Sequence, residues 1–547
     1  MYRMFYRLMC AAALLAACST LSAPTFSQPV TSEAEFSPRS VGQGPHKLLI
    51  IRGAYMIDGL GGPPQGPIVI TVQGNRITGI TTEARAPASE DPAGATVIDA
   101  SGKYILPGFI NGHGHLHSVE SGEAGRGPAV PAQYVAKLWL SHGITSVREL
   151  GNGLGANWLV DVARRAEKNE ILSPRIYAYP AFGARTSGEP ITTPAQAREF
   201  VEDMADAGAH GIKFFGASPR ILSAAFDEAQ KQGLRTTMHH EQVSVVDANV
   251  VDTSGFGLDA MEHWYGLPEA LFEDRIVQDY SPDYVYQDEQ DRFGEAGKLW
   301  AQAAAPYSEH WNTVMETLLE RDFHITPTFS IYIANRDWMR SRRAEWHDTY
   351  TLPAMWDFFR PSLIAHGSYW FDWTQENELD WSENFQLWMT FVNEYKNRGG
   401  LVGVGEDAGF IYSTHGFGYV KELELLREAG FHPLEVIRSA TFVNAQILGV
   451  EEDLGTIEIG KLADMIIVPE NPLRNFKTLY GTGHPILDRE TGEVYRVGGV
   501  ETVIKDGIVY DAVAMRAEIE AEVAADKAAK GIPPGPMPIV TDQSETD

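Results

Sequence analysis

The 547-residue chain predicts an α/β protein: a (β/α)8 barrel of the TIM type with a small β-sandwich domain built from both flanks. Three observations carry that expectation. First, eight apolar runs alternate with helical patterns, namely KYILPGFINGHGH, GITSVREL, PRIYAYPA, HGIKFFG, LRTTMHH, LDAMEHW, FHITPTFS and GLVGVGED. Strands of a parallel sheet covered on both faces read as such continuous apolar segments. Second, titratable residues close most of these runs, at the strand ends where barrels of this kind carry their chemistry. Third, short alternating runs bounded by Gly-Gly, Gly-Asn and Pro lie on both sides of the barrel region, which suits antiparallel strands.

Taken in order, residues 1–18 carry Arg3 and Arg7 followed by the apolar run LMCAAALLAAC, too short to span a bilayer as a helix but suited to a secretory signal. Its end, Leu15-Ala16-Ala17-Cys18, resembles a bacterial lipobox, which implies a lipid on Cys18, export to the periplasmic side and, with Ser19 following, an outer-membrane anchor. The alternative is an ordinary signal peptide cleaved near Ala23. Residues 19–45, rich in Ser, Pro and Gly, read as a tether. Residues 46–105 plus 455–511 hold the strands of the sandwich, and residues 106–454 the barrel. Two connections are long, 266–309 and 331–398, and the second holds seven of the twelve tryptophans. Long segments in compact domains carry function or their own structure, so a helical subdomain with its own core or a lid over the barrel mouth is expected. Residues 512–547 read as an exposed helix and an acidic tail.

Composition narrows the partners. A formal charge of −29 repels phosphate backbones, which argues against nucleic acid. The only membrane contact expected is the lipid on Cys18, and self-association stays open. Cys10 and Cys18 are the only cysteines, so a mature chain beginning at Cys18 has no disulfide and must hold any metal with histidines and carboxylates.

The stretch GFINGHGHLH places His113, His115 and His117 at alternate positions. Side chains two apart on a strand share a face, so His113 and His115 emerge together at the first strand end, with His117 past the strand and facing substrate. Lys213 sits in the fourth run, His239 and His240 end the fifth, His263 ends the sixth and Asp407 the eighth. Each has an ordinary structural explanation alone. Gathered at one rim, four histidines, a lysine and an aspartate make a binuclear site of nitrogen and oxygen ligands, zinc before other divalent ions.

These motifs resemble the amidohydrolase superfamily. LPGFINGHGHLH resembles its PGFIDxHxH signature, GITSVRELG its GxTTVRDxG, GIKFF its IKxF, DAMEHW its SIEHG and GVGEDAG its GTDxG, while LGTIEIGKLADMIIVPENPL resembles its return segment. The resemblance spans about residues 47–509 and is strongest to the binuclear, prolidase-like dipeptidase and carboxypeptidase branch, related also to imidazolonepropionase. It implies two divalent ions: His113, His115 and Asp407 on the more buried one, His239 and His263 on the other, and Lys213, carboxylated on its amine, bridging both. Asp407 would be the general base in hydrolysis of a C–N bond of a dipeptide, an N-acyl amino acid or a similar small substrate. His117, Arg148, His240 and Tyr265 are candidates for substrate contact; for Arg148 pairing with a neighbouring carboxylate is the stronger reading, and His240 competes with His239 for the ligand role.

Two positions depart from the pattern: Asn111 stands where an aspartate is usual, and Glu406 where a small residue often precedes the catalytic aspartate. A mononuclear deaminase is the second reading, disfavoured by the presence of Lys213 and by the spacing of Glu241 from His239; a cyclic amide or lactone hydrolase belongs to the same class. A non-catalytic binding lipoprotein on the same scaffold is the alternative of another class, and an envelope-tethering protein a third.

Overall fold

The structure is a computed structural model that describes residues 35–116, 130–183, 186, 188–360, 363 and 366–535. The signal and lipobox residues, His117 and the acidic tail beyond residue 535 lie outside the described residues.

The N-terminal flank supplies β1 (Leu49–Met56), β2 (Gln65–Gln73), β3 (Arg76–Thr82), β4 (Thr96–Asp99) and β5 (Tyr104–Pro107). The central region supplies β6 (Phe109–Gly114), β7 (Ile144–Glu149), β8 (Arg175–Ala178), β9 (Gly211–Phe214), β10 (Arg235–Met238), β11 (Ala260–Glu262) and β12 (His324–Thr326). The C-terminal flank adds β13 (Met465–Val468), a separate hairpin of β14 (His484–Leu487) and β15 (Val494–Val497), then β16 (Thr502–Lys505) and β17 (Ile508–Asp511).

Both flanks join in one eight-stranded sheet of order β17-β16-β13-β5-β1-β2-β3, with β4 also on β1. β1 changes partner along its length, from β4 at Leu49–Arg52 to β5 at Tyr55–Met56. The change falls on a register shift at Gly53, whose φ is +81° and where a Cβ would lie 2.5 Å from Ser101 Oγ, so only glycine fits. Period-two alternation then splits the side chains between two cores. Met465 and Ile467 of β13 join Leu49, Ile51 and Ile70 in a small core of the sheet, while Ile466 and Val468 face the main core.

The central strands form two parallel sheets, β6-β7-β8 and β9-β10-β11-β12. Backbone bonds continue across both gaps: Phe182 N–H donates to the Lys213 carbonyl at 2.7 Å, and Gly403 N–H to that of Ile325 at 2.9 Å. Gly112 N–H in turn donates to Val404 at 2.7 Å, and Asp407 N–H to His113 at 3.0 Å. The arrangement is a mixed α/β fold consistent with a TIM-type barrel.

The eighth run, Gly400 to Asp407, is not a regular strand: its one β-bridge is at Val402, and the backbone bonds above hold the remainder. Asn444 stands in for part of the ladder. Its side chain donates to the carbonyls of Ile110 at 2.5 Å and Val404 at 2.8 Å and accepts from Val404 N–H at 3.1 Å. A Cβ at Gly403 would meet Asn444 Oδ1 at 2.3 Å, and one at Gly405 would meet His113 Cβ at 2.6 Å, so the glycines permit this close approach.

A buried ion cluster joins the flanking sheet to the parallel strands, with the exposed Glu167 3.0 Å from Arg175 Nε at its edge. Arg175 at the start of β8 binds Asp464 at 2.8 Å and Asp506 at 2.5 Å, and Lys505 reaches Asp506 at 3.2 Å and the Ala166 carbonyl at 3.0 Å. Two cations face two carboxylates, which is what burial of charge requires.

Three expectations change. Residues 35–45 of the tether are packed on the body: Phe36 is buried, and Gln43 exchanges two backbone bonds with Val509, at 2.9 and 2.8 Å. Helix Ala512–Ala529 is not an exposed helix, because Met515, Ile519 and Val523 recur at helical spacing and are buried, and Arg516 donates to the Ser141 and Val500 carbonyls at 2.9 and 2.7 Å. The tryptophans of the second long connection build no core of their own. Trp381 and Trp388, on helix Gln375–Asn397, pack 5.9 Å from the Trp264 ring at the end of β11 and belong to the main core, because that helix lies against the barrel.

Asn444→Ala tests the substitute ladder. Both carbonyls keep a second donor, the Tyr419 hydroxyl and Gly112 N–H, so the stranded group is the buried Val404 N–H. The loss should be about 2–3 kcal/mol, read as a lower urea midpoint at unchanged slope.

Candidate metal centre

His113, His115, Lys213, His239, His263 and Asp407 all line one cavity, at the C-terminal ends of β6, β9, β10 and β11 and of the run ending at Asp407. Asp407 lies at its centre. One of its oxygens is 3.3 Å from His113 Nε2 and 3.2 Å from His115 Nε2, and the other is 3.7 Å from His263 Nε2. Potential ligand atoms of His113, His263 and Asp407 all fall within 4.8 Å of one another. His239 stands beside them, its ring 4.7 Å from that of His263.

The rings are held from behind. His113 Nδ1 meets Glu262 at 2.7 Å, His115 Nδ1 the Gly151 carbonyl at 3.0 Å, and His263 Nδ1 the Thr328 hydroxyl at 2.5 Å. Pinning Nδ1 turns each Nε2 toward the cavity, the arrangement that orients imidazole ligands. Backbone strain helps to aim two of the groups. His263 and Asp407 have φ of +62° and +46°, conformations that side chains other than glycine adopt only when the surroundings impose them.

Burial sets the protonation states. It lowers His113 to about 4 and His239 and His263 well below the ordinary imidazole value, so these rings are neutral near pH 7 and able to accept a cation. For His115 burial acts in the same direction, but the hydrogen bond and charge of Asp407 outweigh it and the value rises. Burial alone would raise Asp407; the surrounding imidazoles hold it well below the usual carboxylate range. An ionised carboxylate among imidazoles of fixed direction is a donor set that fits a divalent cation such as zinc.

Glu262 is fully buried beneath the cluster. Besides His113 it accepts from Arg148 at 2.5 Å and the Thr237 hydroxyl at 2.5 Å, while Arg148 also donates to the Gly112 carbonyl at 2.7 Å and Thr326 at 3.0 Å. Burial raises Glu262, but Arg148 and His113 outweigh it and keep the carboxyl ionised.

Asn111 and Glu406, the two departures noted in the sequence, are partners. Asn111 Nδ2 donates to Glu406 Oε1 at 3.1 Å, and Asn111 Oδ1 accepts from the N–H groups of His113 at 3.1 Å and Glu406 at 3.2 Å. Glu406 also accepts from the Trp139 indole and from Gly416 N–H, and burial pushes it up to about 8. An amide can donate to that carboxyl; an aspartate at 111 could not.

Three candidates for substrate contact do not line this cavity. Arg148 is consumed beneath the site by Glu262. His240 turns outward, its Nε2 2.9 Å from the Thr253 hydroxyl and its ring under Gly266, because successive side chains of β10 alternate and His239 takes the cavity side. Tyr265 is fully buried behind the wall, its ring 4.2 Å from Trp264, and Tyr332 takes the cavity-facing place. His117 lies outside the described residues.

The sequence reading missed Glu262, Tyr332, Arg292 and His366. For Glu262 the signal was present: a carboxylate inside an otherwise apolar strand. The others lie in the long connections, whose spacing carries no periodicity pointing to the cavity.

Glu262→Gln should weaken zinc binding by about 10–100-fold, because His113 loses its charged brace and Arg148 its counter-ion. Zinc titration checks this, with near-ultraviolet circular dichroism confirming retained packing.

Comparison with known proteins adds the following. Residues 390–530 match the amidohydrolase family. An N-acyl-D-glutamate deacylase of Alcaligenes xylosoxydans xylosoxydans is 42% identical over 67 residues, 12% of each chain. A 5'-deoxyadenosine deaminase of Methanobrevibacter smithii is 22% identical over 439 residues, 75% of this chain and 82% of the other. The chain spans less than a third of the length of the first curated relatives it matches, at 12% and 31%. Among solved structures, an Xaa-Pro dipeptidase with bound methionine shares the fold, with a TM-score of 0.56 and 19% identity over 85% of this chain and all of that one.

Proposed function

We propose that the protein is a metal-dependent hydrolase of C–N bonds, amide or peptide, in small substrates such as dipeptides or N-acyl amino acids, its parallel strands closed into one (β/α)8 barrel. The observation that carries this reading is the convergence of His113, His115, Lys213, His239, His263 and Asp407 on one cavity, with three of the imidazoles braced from behind. The amidohydrolase match over residues 390–530, which includes Asp407, supports it.

In this reading His113, His115 and Asp407 would hold one divalent ion and His239 and His263 a second, with Lys213, carboxylated on its amine, a ligand to both. Two such ions, zinc before others, would polarise the scissile carbonyl and lower the pKa of water near it. The residues of the chain do the remainder. Asp407, held ionised, takes a proton from the attacking water and returns it to the leaving nitrogen. Tyr332, Phe293 and Phe410 exclude bulk water from the cavity and seat an apolar part of the substrate. Glu262 keeps His113 directed while charge redistributes.

The likeness to a deaminase over 75% of the chain favours one further reading, a mononuclear deaminase. Metal content separates the two. We further propose that the chain is exported and carried on the outer membrane by a lipid on Cys18; among the described residues no helix is long and apolar enough to cross a membrane.

The full-length protein, purified without chelator and with bicarbonate, should hold about two divalent ions per chain and hydrolyse dipeptides or N-acyl amino acids; about one ion favours the deaminase. Asp407→Asn should fold yet lose turnover by about a thousandfold or more, and near-normal activity removes it as the base. Lys213→Ala should lose activity that a short carboxylic acid with added metal partly restores; full unassisted activity excludes a bridging carbamate.

A further inference from the structure

The two long connections supply part of the wall of the same cavity. Arg292, on helix Glu289–Ala296, and His366 both face the cavity beside Phe293 and Phe410. Glu289 lies behind that wall, within reach of both: its carboxylate is 2.7 Å from His366 Nδ1 and 3.4 Å from Arg292 Nη1. Gln242, just beyond β10, accepts from Arg292 Nε at 2.6 Å, and the guanidinium sits 4.7 Å from the Tyr286 ring and 5.0 Å from that of Phe293.

This is a cation fixed in place and aimed. Gln242, Glu289 and Arg292 are each less than a tenth exposed, so the guanidinium is braced from several sides and keeps little rotamer freedom to lose on binding. A side chain needed only for a surface ion pair has no reason to present itself to a cavity. Its tighter contact is with the neutral Gln242, and Glu289 is shared with His366.

We propose that Arg292, with His366 beside it, is the specificity-determining anchor for a carboxylate on the substrate, across the cavity from the bond to be cleaved. The inference rests on the hydrolase reading above and deepens it. A single guanidinium among aromatic rings suits one planar, singly charged carboxylate carried on an apolar body; a phosphate would call for more donors. The anchor also gives the substrate a direction, since a molecule held at Arg292 by its carboxylate extends its remaining bonds toward Asp407.

The test uses two probes without a C–N bond, so that its result does not depend on hydrolysis: 3-phenylpropanoate and 3-phenylpropan-1-ol, titrated calorimetrically into the zinc-loaded full-length protein. The acid should bind at least tenfold more tightly than the alcohol, and Arg292→Met should weaken the acid by about 10–100-fold while leaving the alcohol unchanged. Arg292→Lys should keep part of the preference. Should Arg292→Met fail to fold, Arg292→Met with Glu289→Gln removes both charges together and reads the same quantity. Equal binding of acid and alcohol, or a preference that persists without Arg292 because the carboxylate sits on the metal, overturns the proposal. Hydrolysis of dipeptides by the same preparations reports separately on the hydrolase reading.

Discussion

Glu262 is the point on which the parallel strands depend. A fully buried carboxylate is costly unless it is met by charge and hydrogen bonds. Here His113 of β6, Arg148 of β7 and Thr237 of β10 all meet it, while Arg148 carries the connection to Gly112 of β6 and Thr326 of β12. Five strands are therefore tied through one side chain of β11. The same interaction that satisfies the interior fixes the ring of His113, so the cohesion of these strands and the aim of the candidate metal centre have one physical origin.

The metal cluster was legible because its signals are local. His-x-His on a strand end needs only the two-residue repeat to put both rings on one side, and a histidine or aspartate closing an apolar run marks the rim. What could not be read is what depends on contacts across hundreds of residues. Asn111 and Glu406 each looked like a separate departure, yet they are 295 positions apart and bonded to one another. For Arg148 a carboxylate partner is expected from the sequence, but nothing near it shows that the partner is Glu262, 114 positions away. The tryptophans of the second connection suggested an independent unit, since local spacing gives helices but not the surface they pack on, here the ring of Trp264.

The two connections and the barrel divide the work at the cavity. The C-terminal ends of the parallel strands supply side chains whose directions are set by the strands, by braces and by two strained backbone conformations. The connections supply Arg292, Phe293, Tyr332 and His366, which stand on short helices and turns and are held by packing between the two segments. Chemistry and selectivity are thus placed on different supports, and a change in one connection alters the wall without disturbing the ligands.

The sheet formed by both flanks has a consequence for the order of events in the cell. β5 pairs with β1 and with β13, so the strands made first stay an incomplete edge until a partner about 360 positions later has been synthesised. Pairings so distant form slowly and leave strand edges exposed meanwhile. Arg175 has Glu167 close by in sequence, but its two buried partners, Asp464 and Asp506, come only with the far end. A nascent chain stalled short of β13 would hold its parallel strands beside an unpaired edge, a state open to proteolysis and aggregation. Completion of the far end thereby serves as the step that seals the near one.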